Sequence, residues 1–215
     1  MRRRIELVGR SVKMRDTDQT AEDMHFWLSK SPVERLAAVT YLTVHSLPDS
    51  LQELKSRVIE GKEIVYPLFK SLFHSLNNNN VEYLTVGGYA MAYFGLPRYS
   101  NDLDIWVNPA QLNMSLLSTA LIGFDSERRL EAMMHDDPGE ISLRLGTKPM
   151  EVDIHLSLGQ LDFNSAFANR EAIEITGIQV PFVCKADFVV SKLASTRIQD
   201  LVDGKIIQSG RGREE

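Results

Sequence analysis

Residues Leu84–Asn108 read LTVGGYAMAYFGLPRYSNDLDIWVN. An apolar run ends in Gly87–Gly88, a small-residue helical pattern follows, and after a loop Asp102–Leu103–Asp104 sits inside a second apolar run. The stretch predicts a strand, a glycine turn, a helix and a strand carrying two carboxylates. Side chains two apart on a strand point the same way, so Asp102 and Asp104 share a face while Leu103, Ile105 and Val107 turn to the other. Paired carboxylates repel unless a cation sits between them. Hard cations such as Mg²⁺ take carboxylate and triphosphate oxygens together. A lone D-x-D is more often a solvent face that happens to carry two aspartates, but Asp is disfavoured in strands and a pair there wants a reason. Gly87–Gly88 strengthens the reading: a strand running through glycines into a helix exposes backbone N–H groups that suit phosphate, and glycine permits close approach. Thirteen residues separate Gly88 from Asp102.

A two-metal site needs a third carboxylate. Glu151–Val152–Asp153–Ile154–His155 offers one on a later strand, with Glu151, Asp153 and His155 on the face opposite Val152 and Ile154. Asp153, in mid-strand, is favoured as a ligand or as base for an attacking hydroxyl. His155 either orients substrate or is a hydrogen-bonded histidine of no further role.

Outward from these strands the chain is ordinary in composition. It has 215 residues, 43% hydrophobic and 25% charged, and a net charge of −5. That suits one medium domain and carries no global basic field for nucleic acid. One cysteine, Cys184, excludes an intramolecular disulfide and fits a reducing compartment. No apolar run approaches the about 20 residues of a membrane helix, and Arg2–Arg4 lead into no apolar signal core. The expectation is a cytoplasmic protein with no membrane partner.

The first 60 residues predict a small helical extension, with the remainder, 61–215, as the main domain. Within the extension Ser31–Pro32–Val33–Glu34 is a helix start: a capping serine, proline at the first helical position and glutamate three after the cap. The extension suits a contact with a partner protein or a second copy through residues 20–60, or a helical cap on the main domain. Residues 62–77 predict an amphipathic helix with Ile64, Val65, Leu68, Leu72, Phe73 and Leu76 on one face. A helix from Pro109 to about Leu121 is expected to turn Leu112, Leu116 and Leu117 inward. Strands are expected at 141–145 and 150–156, a hairpin around Gly177, and two closing helices from Lys185 to Ala194 and Ile198 to Gln208. The fold class expected is α+β, a small mixed sheet flanked by helices.

Three ordered motifs carry a resemblance: VEYLTVGGYAMAYFGLPRYSNDLDIWVNP, MEVDIHL and SKLASTRIQDLVD. Together they resemble nucleotidyltransferases of the polymerase-beta type, and are similar above all to the minimal and abortive-infection-toxin-like bacterial members. The resemblance spans about residues 62–208. Many members read Gly-Ser where this chain has Gly87–Gly88, and both forms occur. The resemblance implies Mg²⁺ (or Mn²⁺) held by Asp102, Asp104 and Asp153, and an NTP whose phosphates meet Gly87, Gly88 and Lys192. Asp200 matches an acidic position near that lysine, and Arg197 would help neutralise charge. Arg98 and Ser100 either meet the nucleotide or belong to a solvated loop. The implied activity is transfer of a nucleoside monophosphate to a protein or RNA hydroxyl, in a toxin–antitoxin or defence setting. Transfer to a small molecule such as an aminoglycoside, and a non-catalytic module that keeps the fold, are the rival readings.

Overall fold

A computed structural model describes residues 19–46, 52–59, 64–100, 102–122, 124, 142–145 and 151–210. Helix α1 (Gln19–Leu28) precedes α2 (Pro32–His45), whose start is the capping box read above. Ser31 Oγ accepts from the Glu34 N–H at 3.3 Å, and Glu34 Oε2 accepts from the Ser31 N–H at 2.8 Å. Two donors that a helix start leaves without partners are satisfied at once. Helix α3 (Gln52–Ile59) follows.

Helix α4 spans Pro67–Asn78, not 62–77. Pro67 lacks an N–H and has a fixed φ, so it serves best as the first helical residue. Ile64 and Val65 therefore precede the helix, though Val65 still reaches the core. The asparagine run ends α4, with Asn80 in the left-handed region at φ 54°.

Strand β1 (Tyr83–Thr85) leads into α5 (Gly87–Tyr93), then β2 (Asp102–Val107) and α6 (Gln111–Ala120). Leu112 on α6 is exposed rather than inward-facing. The buried stripe is Asn113, Met114, Leu117 and Ala120, the i, i+3, i+4 rows that a helix lays against a core. Strands β3 (Ser142–Leu145) and β4 (Glu151–His155), helix α7 (Phe163–Ala168), the hairpin β5 (Glu171–Ile175) and β6 (Ile178–Phe182), and helices α8 (Lys185–Leu193) and α9 (Ile198–Ser209) complete the chain. The hairpin turns on Thr176 and Gly177, both at positive φ (51° and 84°), the backbone of a two-residue turn matched to strand twist.

The six strands form one sheet in the order β3-β4-β2-β1-β6-β5. β2–β4 and β1–β6 are parallel, while β1–β2, β3–β4 and β5–β6 are antiparallel. The class is α+β, a mixed sheet flanked by helices. Leu84, Leu103, Ile105, Val107 and Ile154 are wholly buried at its centre. Leu36, Val39 and Val44 of α2, and Val58 of α3, enter the same hydrophobic cluster as the sheet. Arg35 of α2 is buried and donates to the Tyr93 carbonyl at the end of α5, which ties the two helices together. Among the described residues no helix is long and apolar enough to cross a membrane.

Candidate functional site

β1 brings the chain alongside β2, and the Val86 N–H donates to the Asp104 carbonyl at 3.0 Å. There the chain leaves the sheet through Gly87, at φ 58°. A Cβ on Gly87 would stand 1.9 Å from Asp104 Oδ2, and one on Gly88 would stand 2.4 Å from Ser100 Oγ. Both glycines are thus demanded by the close approach of the carboxylate strand and its preceding loop. Gly87 is also demanded by its backbone angle.

β4 lies on the other side of β2, in parallel, with Asp104 opposite Asp153 and Asp102 opposite Glu151. Alternation about Leu103, Ile105, Val152 and Ile154 puts all four acids on one sheet face. That face is not the solvated one that alternation alone suggests: Glu151 and Asp153 are buried, and Trp106, farther along β2, packs edge-on against Phe163 of α7 at 5.1 Å. Burial of acids requires partners, and each of the three aspartates on this wall has one. Ser100 Oγ donates to Asp102 Oδ1 at 3.1 Å. His155 Nε2 meets Asp104 Oδ1 at 2.9 Å. Arg144 of β3, directly opposite Asp153, grips it with two hydrogen bonds, Nε to Oδ1 at 2.9 Å and Nη2 to Oδ2 at 3.2 Å.

Electrostatics follows this packing. Burial, then the charge of Asp104, pushes the Asp102 carboxyl above its ordinary range, against the pull of the Ser100 hydroxyl. Burial works against a charge on His155, but the hydrogen bond and charge of Asp104, with Asp153 and Asp102 behind it, hold the imidazole above its usual value. The Asp153 hydrogen bonds raise the already high value of Arg144.

The opposite wall comes from α8 and α9. Asp200 accepts from Lys192 Nζ at 2.6 Å, from Ser195 Oγ at 2.8 Å and from Arg197 Nε at 2.8 Å. Burial raises its carboxyl, yet these three donors, Lys192 foremost, hold it below the usual range. One turn on, Asp203 accepts from Gln199 Nε2 at 2.9 Å. Its other oxygen meets Arg98 Nη1 at 2.7 Å, in an ion pair without hydrogen-bond alignment.

Between the walls is a cleft of about 530 Å³, within the range of small-ligand pockets. Gly87, Gly88, Arg98, Ser100, Asp102, Asp104, Asp153, Lys192, Arg197 and Asp200 all line it, so these ten residues singled out in the sequence share one cavity. His155 lines it too. Glu151 is buried beside Arg144, 3.5 Å from its Nε. Sequence reasoning missed Arg144 and Asp203. The alternation Leu143–Arg144–Leu145 carried a signal for the first, and the helical i, i+3 spacing from Asp200 carried one for the second.

The donors can be tested against a divalent cation. Asp102 and Asp104 fit: two adjacent carboxylates on the cleft wall, one with its carboxyl raised by burial and mutual repulsion, and a glycine leaving Asp104 Oδ2 uncrowded. Asp153 is engaged by Arg144, and among the described residues no group of three or more His, Cys, Asp and Glu side chains is arranged to hold a metal.

A crystal structure of an antigenic nucleotidyltransferase-like protein from Paracoccidioides brasiliensis is similar to this chain at a TM-score of 0.44 and 18% identity, over 66% of this chain and 72% of that one. No family model matches the sequence. No curated protein matches it either.

Proposed function

We propose that this chain is a metal-dependent nucleotidyltransferase, moving a nucleoside monophosphate from an NTP to a hydroxyl of a protein or RNA acceptor, in a toxin–antitoxin or defence setting. The observation that carries the reading is the cleft itself. Its one wall bears Asp102 and Asp104 beside Gly87 and Gly88, and its other wall bears Lys192 and Arg197. Acids that can share a cation face bases that can share a phosphate, across a space of nucleotide size.

Asp102 and Asp104 would hold Mg²⁺ or Mn²⁺. When bound, such an ion supplies charge stabilisation to triphosphate oxygens. Lys192 and Arg197, held in place by Asp200, offer donors to the phosphates without having to be ordered on binding. Arg98, held by Asp203, does the same from the loop before β2. Ser100 orients Asp102 and His155 orients Asp104. The acceptor hydroxyl attacks the α-phosphorus, its proton passing to solvent, as the bond to the α–β bridging oxygen breaks and pyrophosphate leaves. Little covalent chemistry falls to the protein, so positioning and charge dominate.

The test is labelled NTP with Mg²⁺ and cell extract, one nucleotide at a time. Label in protein or RNA, abolished in Asp104→Asn, is the expected outcome. Label confined to a small-molecule fraction would replace the acceptor class, and failure to bind any NTP with Mg²⁺ would remove the enzyme reading.

A further inference from the structure

We propose that Arg144 stands in the place of a second cation, so that the cleft takes one divalent ion, on Asp102 and Asp104, and Asp153 is not a metal ligand. This rests on the two-carboxylate site of the preceding section.

The placement of Arg144 follows from the sheet. Leu143 and Leu145 are buried, so β3 presents Arg144 to the opposite face. The β3–β4 register sets it directly across from Asp153, and the β4–β2 register sets Asp153 directly across from Asp104. A one-residue slip of β3 would drive the guanidinium into the apolar face beside Val152 and Ile154, so the row Arg144–Asp153–Asp104 is locked. The guanidinium takes both oxygens of Asp153, in the paired geometry suited to a carboxylate, and its Nε lies 3.5 Å from Glu151 Oε2.

Charge completes the argument. The guanidinium keeps its proton at every working pH, so the compensation of Asp153 is permanent. A dication on Asp153 would sit against a fixed positive charge, and each Asp153 oxygen already accepts from the guanidinium. Among the described residues the side-chain partners of Asp102 and Asp104 are a hydroxyl and an imidazole, which a cation can displace. The same row helps four acids on neighbouring strands to be tolerated: Asp153 is neutralised from within the sheet, with Glu151 beside the same guanidinium.

The side chain of Arg144 is 52% exposed, whereas that of Asp153 is only 12% exposed. Arg144→Gln therefore leaves no cavity, but leaves a buried carboxylate in want of a cation beside Asp104. The experiment counts Mn²⁺ ions bound to the nucleotide-free protein by electron paramagnetic resonance of free Mn²⁺, with circular dichroism to check the fold. Wild type and Arg144→Lys, which keeps the charge, are expected to bind one ion. Arg144→Gln is expected to bind two, and Arg144→Gln combined with Asp153→Asn to return to one. Two ions on wild type, or one on a folded Arg144→Gln, would overturn the proposal; the wild-type count alone suffices should that variant not fold. Absence of any Mn²⁺ on wild type would instead strike the two-carboxylate site, and the proposal with it.

Discussion

Gly87 meets two demands that no other residue meets together. Its φ of 58° lies in the left-handed region, and its missing Cβ leaves room for Asp104 Oδ2. Gly87→Ala should cost at least about 1–2 kcal/mol from the backbone alone, read from urea unfolding. It should also displace Asp104 and so weaken Mn²⁺ binding. Unchanged Mn²⁺ affinity in the variant would mean that Asp104 does not hold the ion. Asp200 makes a second prediction at this scale. Its carboxyl is held below the usual range in the folded protein, so the stability it contributes is present above the ordinary value of 3.8 and is lost as pH falls through the lowered folded value. Asp200→Asn should therefore be less stable than wild type at neutral pH by about 2 kcal/mol, and the gap should close in strong acid. A gap that is constant down to pH about 2 would contradict the assigned shift.

Helix α2 supports the cleft from behind, through Ser100. Thr43 Oγ1 donates to the Ser100 carbonyl at 2.9 Å and accepts from the Ser100 N–H at 3.4 Å, and Ser100 in turn orients Asp102. A helix about 60 residues before the carboxylate strand thus sets the position of a cleft residue. Thr43→Val keeps the volume but leaves these half-buried backbone groups short of a partner, at about 1 kcal/mol. NTP affinity, measured by calorimetry, should fall several-fold with the fold intact. Equal affinity would show that the Ser100 loop is positioned without α2. Pro67 moved a helix start by its missing N–H, and Leu112 proved exposed because the buried stripe runs through Met114 and Leu117. Local apolar count does not say which of several leucines faces a core when more than one stripe is available.

Over the whole molecule, the cleft is a meeting of distant segments, and the Arg98–Asp203 ion pair links the loop before β2 to α9. The Asp203 side chain is 3% exposed and that of Arg98 40%, so the acid is fixed and the base is the group that reaches the cleft. Asp203→Asn should leave the Mn²⁺ count unchanged while weakening NTP binding about tenfold, the scale of a lost charge-assisted contact. Loss of Mn²⁺ binding in this variant would show that Asp203 serves the carboxylate wall rather than Arg98.

The order of strand, glycine turn, helix and strand, the shared face of Asp102 and Asp104, the cap at Ser31 and the mixed α+β class are legible in the chain alone. These are local properties: a two-residue or 3.6-residue period, a steric demand on one φ, and a side chain that reaches three residues along its own helix. Lys192, Arg197 and Asp200 were legible only through their resemblance to a known motif, since basic residues on an amphipathic helix carry no signal of their own. That Arg144 faces Asp153, that Thr43 carries Ser100 and that Asp203 holds Arg98 emerges from the folded chain and from no local pattern. Alternation tells which face a strand residue takes, but many strand orders and registers satisfy the same alternation. The partner across the sheet is chosen by the burial of the whole apolar face at once.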